Sequence, residues 1–267
     1  MIKIGIIADL HVGSAFGLWP PKARLSTGGH YQLNIGQRYL NKHWRSITDI
    51  LPPLDILILN GDIIDGQNPK GMARYVCEPD PQFQARAALE LLQPVLAKTK
   101  SVFCTEGTEY HEGESATWAE WLAREVGSID KDGHYAWDWL LLDVGGLRFD
   151  IAHRQAFFIR YRSTALEREM QFSAMLSDTA DVIIRSHTHQ YIWLKMPGDS
   201  RLQMALSTPG WQIQTHYARI SYSPNRLLSL QLGMVMLEIE GGQIQDRAYL
   251  FPHPPLRRAK YAEAKAT

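Results

Sequence analysis

The stretch "LDILILNGDIIDG" (54–66) decides how this chain folds. Its first seven residues are almost continuously apolar and β-rich, which predicts a strand covered on both faces. The chain then breaks at Gly61 and presents two carboxylates, Asp62 and Asp65. The same figure recurs on either side. "IKIGIIA" (2–8) runs into Asp9-Leu10-His11, and "SVFC" (101–104) runs into "TEGTEYHEGES" (105–115). "LRFDIA" (147–152) runs into His153, and "DVIIRS" (181–186) runs into His187-Thr188-His189. Ligands of open α/β sheets bind beyond the carboxyl ends of the strands. Strand ends that all finish in Asp, His or Glu are therefore expected to converge on one site.

Helical patterns fill the gaps. Residues 37–51 place Leu40, Trp44, Ile47 and Leu51 on one side, with His43 packed among them, and Pro52 stops the run. Residues 82–97 repeat the pattern with Phe83, Ala87, Leu91, Leu92 and Val95. Residues 117–126 open with a Thr117/Glu120 capping box and close at Gly127. A fourth helix is predicted over 164–177. Later, "LQMAL", "WQIQTHYARI" and "LGMVMLEIEGGQIQDRAYLF" read as strands, with Gly241-Gly242 as a hairpin turn. This order, without repeat or linker, predicts one layered α/β domain over 1–267 with a basic tail at about 254–267.

Of 267 residues, 45% are apolar and 21% charged, an ordinary globular balance that can bury a core without disulfides. Cys77 and Cys104 are too few for a disulfide framework or a thiolate zinc site, and a reducing, cytoplasmic setting is expected. The first apolar run stops at Asp9, too short for a signal peptide. No run approaches the roughly 18 apolar residues of a membrane span, so no membrane partner is expected. Net charge is zero, so bulk charge does not indicate a nucleic-acid binder, although a local patch stays open. Oligomeric state is not legible.

Asp-x-His in extended chain places both side chains on one side, and so does His-x-His. Asp9/His11 and His187/His189 thus form a chelating frame. Mixed imidazole and carboxylate sets suit Mn, Fe, Zn or Ni. A carboxylate such as Asp62 has two oxygens and can bridge two ions. Two divalent ions about 3.5–4 Å apart activate water and clamp both ends of an in-line displacement at phosphorus. Each fragment alone has a plainer explanation. Gly-Asp-x-x-Asp is more often a turn and helix cap, and a lone histidine is more often a core or surface residue. The ordered set makes chance a poor account.

Taken in order, Asp-x-His, Gly-Asp-x-x-Asp-Gly, a Gly/His/acid stretch, a lone His and His-x-His resemble the calcineurin-like metallophosphoesterase family over about residues 1–210. "DLHVGSAFGLWPP" (9–21) is similar to versions carried by bacteriophages and prophages. The resemblance implies a four-layer α-β-β-α sandwich of two mixed sheets. It also implies a phosphoric ester hydrolase with two divalent metal ions, Mn²⁺ first, with Fe, Zn, Ni or Mg as alternatives. Asp9, His11, Asp62 and His189 would hold the first ion, Asp62 would bridge, and His153 and His187 would hold the second.

The family ends its third strand in Gly-Asn-His and an acid, where the Asn is a metal ligand and the His faces substrate. This chain reads Gly107-Thr108-Glu109-Tyr110-His111-Glu112 instead. By the resemblance His111 keeps the substrate-facing role and Glu112 orients it. Glu109 replaces the Asn as ligand, or Thr108 does, or the loop gives none. A carboxylate ligand there would raise the pKa of bound water and predicts an alkaline optimum. His30, in the polar loop 14–36, and Arg154, beside His153, are the candidate substrate contacts. Trp211, His216, Arg219 and Arg185 are lesser ones, and His134 and His253 are expected to be surface or structural. The expected substrate is a phosphodiester, with nucleotides or nucleic acid in view. The alternatives are a phosphomonoesterase and a catalytically silent binding subunit.

Overall fold

A computed structural model describes residues 1–68, 74–154, 163–175, 179–197, 202–213 and 230–254. Four parallel strands, β1 (Ile2–Ile7), β2 (Leu54–Asn60), β3 (Thr99–Thr105) and β4 (Ala136–Trp137), lie side by side in a six-stranded sheet with order β11-β10-β1-β2-β3-β4. The long hairpin β10 (Leu232–Glu240) and β11 (Gln243–Phe251) completes it, with β10 running antiparallel to β1. The hairpin turns at Gly241 and Gly242, both at positive φ, as a two-residue turn of the right twist requires.

The second sheet holds β5 (Leu140–Val144), β6 (Leu147–Ile151), β7 (Val182–Arg185), β8 (Ile192–Pro197) and β9 (Leu202–Ser207) in the order β5-β6-β7-β9-β8. Its central strands β6, β7 and β9 are parallel and its two edges antiparallel. Both sheets are therefore mixed.

The sheets face each other across one apolar layer. Ile4, Ile6, Ile58, Phe103, Val235 and Leu237 from the first meet Phe149, Ile151, Val182, Ile184 and Leu206 from the second. Each such side chain, fully buried, contributes about 1.5–3 kcal/mol. The other face of the first sheet carries α1 (Ile35–Ile50), α2 (Pro81–Leu96) and α4 (Thr117–Glu125), packed through Leu40, Trp44, Leu91 and Leu122. The other face of the second carries α5 (Thr164–Ala174), packed through Leu166 and Met170 on Ile183 and Ala205. The four-layer α-β-β-α sandwich expected from the resemblance is the architecture present.

Local expectations differ in three places. The Thr117/Glu120 capping box does not form. Ala116 is the N-cap, and Glu120 Oε2 accepts from Tyr135 N and Ala136 N, tying α4 to β4. The capping box instead opens α1, between Asn34 and Gln37. Strands β4, β5 and β8 were not expected; they are short or half-exposed edges with weak apolar runs. Of "WQIQTHYARI", residues 211–213 are not strand, and His216 and Arg219 lie outside the described residues, as does the tail from 255.

Candidate metal centre

The carboxyl ends of β1, β2, β6 and β7 meet at one edge of the sandwich. Asp9 N donates to Gly61 O at 3.0 Å, Ser186 N to His153 O at 2.8 Å, and His187 N to Asp9 Oδ2 at 3.1 Å. Space there is tight. A Cβ on Gly107 would lie 2.2 Å from Asp62 N, so only glycine lets the end of β3 come so close. The backbone is also unusual. Asp9, His11, Asp62, His187 and His189 all have φ between 46° and 66°, a left-handed conformation disfavoured for side chains with a Cβ. Their side chains leave the strand ends in directions that an extended backbone does not provide.

Three groups of ligand-type atoms result, each drawn together within 4.8 Å: Asp9, Asp62, His153 and His187; Asp9, His11 and His189; and His11, Asp65 and His111. Asp9 Oδ1 lies 3.1 Å from His189 Nε2, and 3.8 Å from both His11 Nε2 and His153 Nε2. Asp62 Oδ2 lies 3.0 Å from His153 Nε2 and 3.7 Å from His187 Nδ1. Asp9 belongs to the first two groups, and Asp62, the bridge implied by the resemblance, belongs to the first. Asp62 gives its other oxygen away: Oδ1 accepts from Thr108 N at 2.7 Å and Thr108 Oγ1 at 3.0 Å.

Asp9 Oδ1, Asp62 Oδ2 and His153 Nε2 are buried and lack any hydrogen-bond partner among the described residues. His153 Nδ1 donates to Asn60 O at 2.7 Å, which leaves a lone pair on Nε2 of the neutral ring. His11 Nδ1 faces Asp65 Oδ1 at 3.2 Å, and its Nε2 lies 3.2 Å from His189 Nε2, a hydrogen bond in which one ring must carry the proton unless a cation takes its place. Lone pairs crowded together in a dry pocket repel unless a cation sits between them. A divalent ion fits this donor set.

The electrostatics state the same need. Burial alone would raise Asp62 and Asp9, but the neighbouring imidazoles outweigh it and hold both carboxyls below their usual range. Burial alone would lower His153, but Asp62 and Asp9 outweigh it and push the imidazole up to about 10. Without metal, a proton on His153 supplies the positive charge.

The β3 loop departs from expectation. Residues Glu109–Glu112 coil into one turn, α3, and Glu109 points out, exposed, in none of these groups. Thr108 is buried and braces Asp62. Among the described residues the Glu112 carboxylate forms no hydrogen bond or ion pair with the His111 ring. Its Oε1 accepts from Ile63 N at 3.1 Å and its Oε2 from Gly107 N, so it clamps the β3 loop to the β2 loop. Burial and the charge of Asp62 push Glu112 up to about 8. His111 is held by Asp65 instead: Nδ1 donates to Asp65 O at 2.8 Å, and the ring stands edge-on to His11 at 4.5 Å.

Two residues, Asp65 and Asn60, hold the centre together without having been expected to. Asp65, fully buried, sits between His11 and His111, and Gln212 Nε2 reaches its Oδ1 at 3.4 Å. Its signal was the Gly-Asp-x-x-Asp-Gly spacing. Asn60 joins strand ends, donating to Ser186 Oγ at 2.6 Å and accepting from Thr105 Oγ1 at 2.6 Å. Thr108, expected as a possible ligand, donates to Asp62, and His253, expected to be surface or structural, is half-buried and lowered by burial and by neighbouring His189. His30 is exposed in a small turn bridged to Arg24, and Arg154 is exposed beside His153. Arg185 is buried and pairs with Asp150 at 2.7 Å and Glu169 at 2.6 Å, so it is occupied structurally. Trp211 is buried, its N donating to Asp9 O at 2.8 Å.

No family model and no curated protein matches the chain. It is similar to the solved structure of wild-type Vps29 complexed with Zn²⁺ from Entamoeba histolytica, at 12% identity and TM-score 0.44, covering 93% of this chain and 99% of that one. It is also similar to a structure described as a novel archaeal phosphodiesterase, at 13% identity and TM-score 0.45, covering 92% of this chain and 99% of that one. A predicted phosphoesterase from Streptococcus pneumoniae TIGR4 is similar at 10% identity and TM-score 0.37, covering 92% and 97%. Nothing in these comparisons points to a phage-type member. Likeness at this level carries no activity across, and the chemistry rests on the geometry above.

Proposed function

We propose that the chain is a metal-dependent phosphoric ester hydrolase that acts on phosphodiesters. The observation that carries it is the set of buried, unpartnered atoms at the convergence of strand ends: Asp9 Oδ1, Asp62 Oδ2 and His153 Nε2. One divalent ion would be held by Asp9, His11 and His189, and a second by Asp62, His153 and His187, with Asp9 in reach of both. Mn²⁺ suits these mixed ligands, with Fe, Zn, Ni or Mg as alternatives. When bound, such ions supply Lewis acidity and make water nucleophilic at neutral pH.

The chain's own residues set the rest. Asp65 orients His11 through Nδ1, and its carbonyl orients His111. The proton on His111 Nδ1 is thereby fixed, and Nε2 remains to exchange a proton with a phosphate oxygen or a leaving alkoxide. Thr108 and Glu112 hold Asp62 and the β3 loop in place. The free thiols of Cys77 and Cys104 suit a reducing cytoplasm, and no helix among the described residues can cross a membrane.

Chelator-stripped protein, given Mn²⁺, is offered bis-p-nitrophenyl phosphate and p-nitrophenyl phosphate side by side, with a His189→Ala control. Turnover of the diester that His189→Ala abolishes is the expected result. Faster monoester turnover would reassign the substrate class, and no turnover with metal bound would sink the hydrolase reading.

A further inference from the structure

Between Asp9 and Asp49 the chain carries no carboxylate, yet it carries Lys22, Arg24, Arg38, Lys42 and Arg45. In a chain with 28 cations and 28 anions this is a marked local imbalance. The fold gathers part of it into one groove of about 680 Å³ between the 14–36 loop and α1, lined by Tyr31, Leu33, Arg38, Asn41, Lys42 and Arg45. The three cations stand at i, i+4 and i+7 of α1, hence on one face, while Leu40, Trp44 and Ile47 bury the other. All three are exposed, and none forms an ion pair among the described residues, although Arg38 Nη1 donates to Leu33 O.

We infer that this groove binds the backbone of a single-stranded nucleic acid. Arg38 and Lys42 are about 6 Å apart along the helix axis, from a rise of about 1.5 Å per residue, so the row repeats charge at intervals comparable to successive phosphates. Tyr31 is half-buried against the core and leaves part of its ring in the groove, a stacking surface that serves any base. The groove is open to solvent and has no carboxylate in its walls, which suits a polyanion better than one enclosed small anion. Hydrogen bonds also join α1 to the metal centre. Gln37 Nε2 of α1 donates to Ser14 O at 3.1 Å, and Gln212 links Ser14 Oγ to Asp65 Oδ1 at 3.4 Å each. The inference deepens the phosphodiester reading by naming its substrate class, and it rests on that reading only for the hydrolysis of the bound strand.

The test is binding of fluorescein-labelled oligo-dT to the full chain in chelator, where turnover plays no part, read by fluorescence anisotropy over a salt series. Each cation withdrawn from a phosphate makes the slope of log K against log salt shallower by about 0.7, so Lys42→Glu/Arg45→Glu is expected to make it shallower by about 1.4. Lys195→Glu, a charge reversal on the exposed edge strand β8, is expected to leave binding unchanged. Lys42→Gln/Arg45→Gln replaces the reversal should that variant fail to fold. No binding at low salt overturns the inference, as does equal weakening by Lys195→Glu. Equal competition by oligoglutamate overturns it in favour of an acidic peptide.

Discussion

Asp9 and Asp62 each give one carboxylate oxygen to a neighbouring strand end and aim the other at imidazoles, but what stands behind those imidazoles differs. On the Asp9 side His11 is backed by a carboxylate, Asp65. On the Asp62 side His153 is backed by a neutral carbonyl, that of Asn60. A carboxylate behind an imidazole makes it the more basic ligand. The acid nearest the Asp62 side, Glu112, is pushed up to about 8 by burial and by Asp62, so near neutrality it adds little negative charge. Two similar ligand sets thus acquire unequal pull on a cation from the groups behind them, and the Asp9 side is expected to fill first.

The largest effect is expected at the shared carboxylate. Asp9→Asn should remove both ions and reduce turnover to that of stripped protein, measured by elemental analysis beside diester hydrolysis. Retention of one tightly held ion would show that Asp9 serves one side alone. Next comes Asp65→Asn, which should weaken one of two Mn²⁺ sites by about 10–100-fold in calorimetric titration. Equal weakening of both would dissolve the asymmetry.

Thr108→Val probes the other side. It deletes the hydroxyl bond to Asp62 Oδ1 while the Thr108 N–H bond remains. A loss of about 1.5 kcal/mol in denaturant unfolding of metal-free protein is expected, the low end for a bond to a charged group. No change would mean that the backbone bond alone positions Asp62.

A pH slope reads the acid behind Asp62. Glu112 is raised from 4.5 to about 8, so between those values the folded protein holds a proton that the unfolded chain has lost. Its contribution is complete below about 4.5 and is lost as pH rises through about 8. Metal-free Glu112→Gln should therefore lose less stability than wild type between pH 5 and pH 8, compared by thermal unfolding. Parallel curves would mean that Glu112 is ionised in the fold.

The strand ends were legible because each apolar run stops at an ionisable residue, and that places the side chain at the sheet edge whatever the detailed register. The four layers followed from βα alternation and a final hairpin only with the resemblance to assign them. The loop after β3 was not legible. Whether Glu109 points in or out depends on one turn of helix, and nothing in "GTEYHE" separates that turn from an extended loop. Asp65 was in plain view, but its spacing from Asp62 also describes an ordinary helix cap. Only the position of His11 in space distinguishes the two. Glu120 misled in the opposite sense: its spacing from Thr117 fits a capping box, but two amides, at Tyr135 and at Ala136 of β4, compete for its carboxylate and win.

The left-handed backbone at His11, His187 and His189 has a consequence for mutational drift. At each of these positions glycine would relieve a conformational cost of roughly 1–2 kcal/mol, and would also remove an imidazole crowded against its neighbours. Selection for folding alone therefore favours losing these imidazoles, and selection for binding a cation at this edge would favour keeping them. A lineage released from the second pressure would slide toward a sturdier sandwich with an empty rim, without any change in its layers.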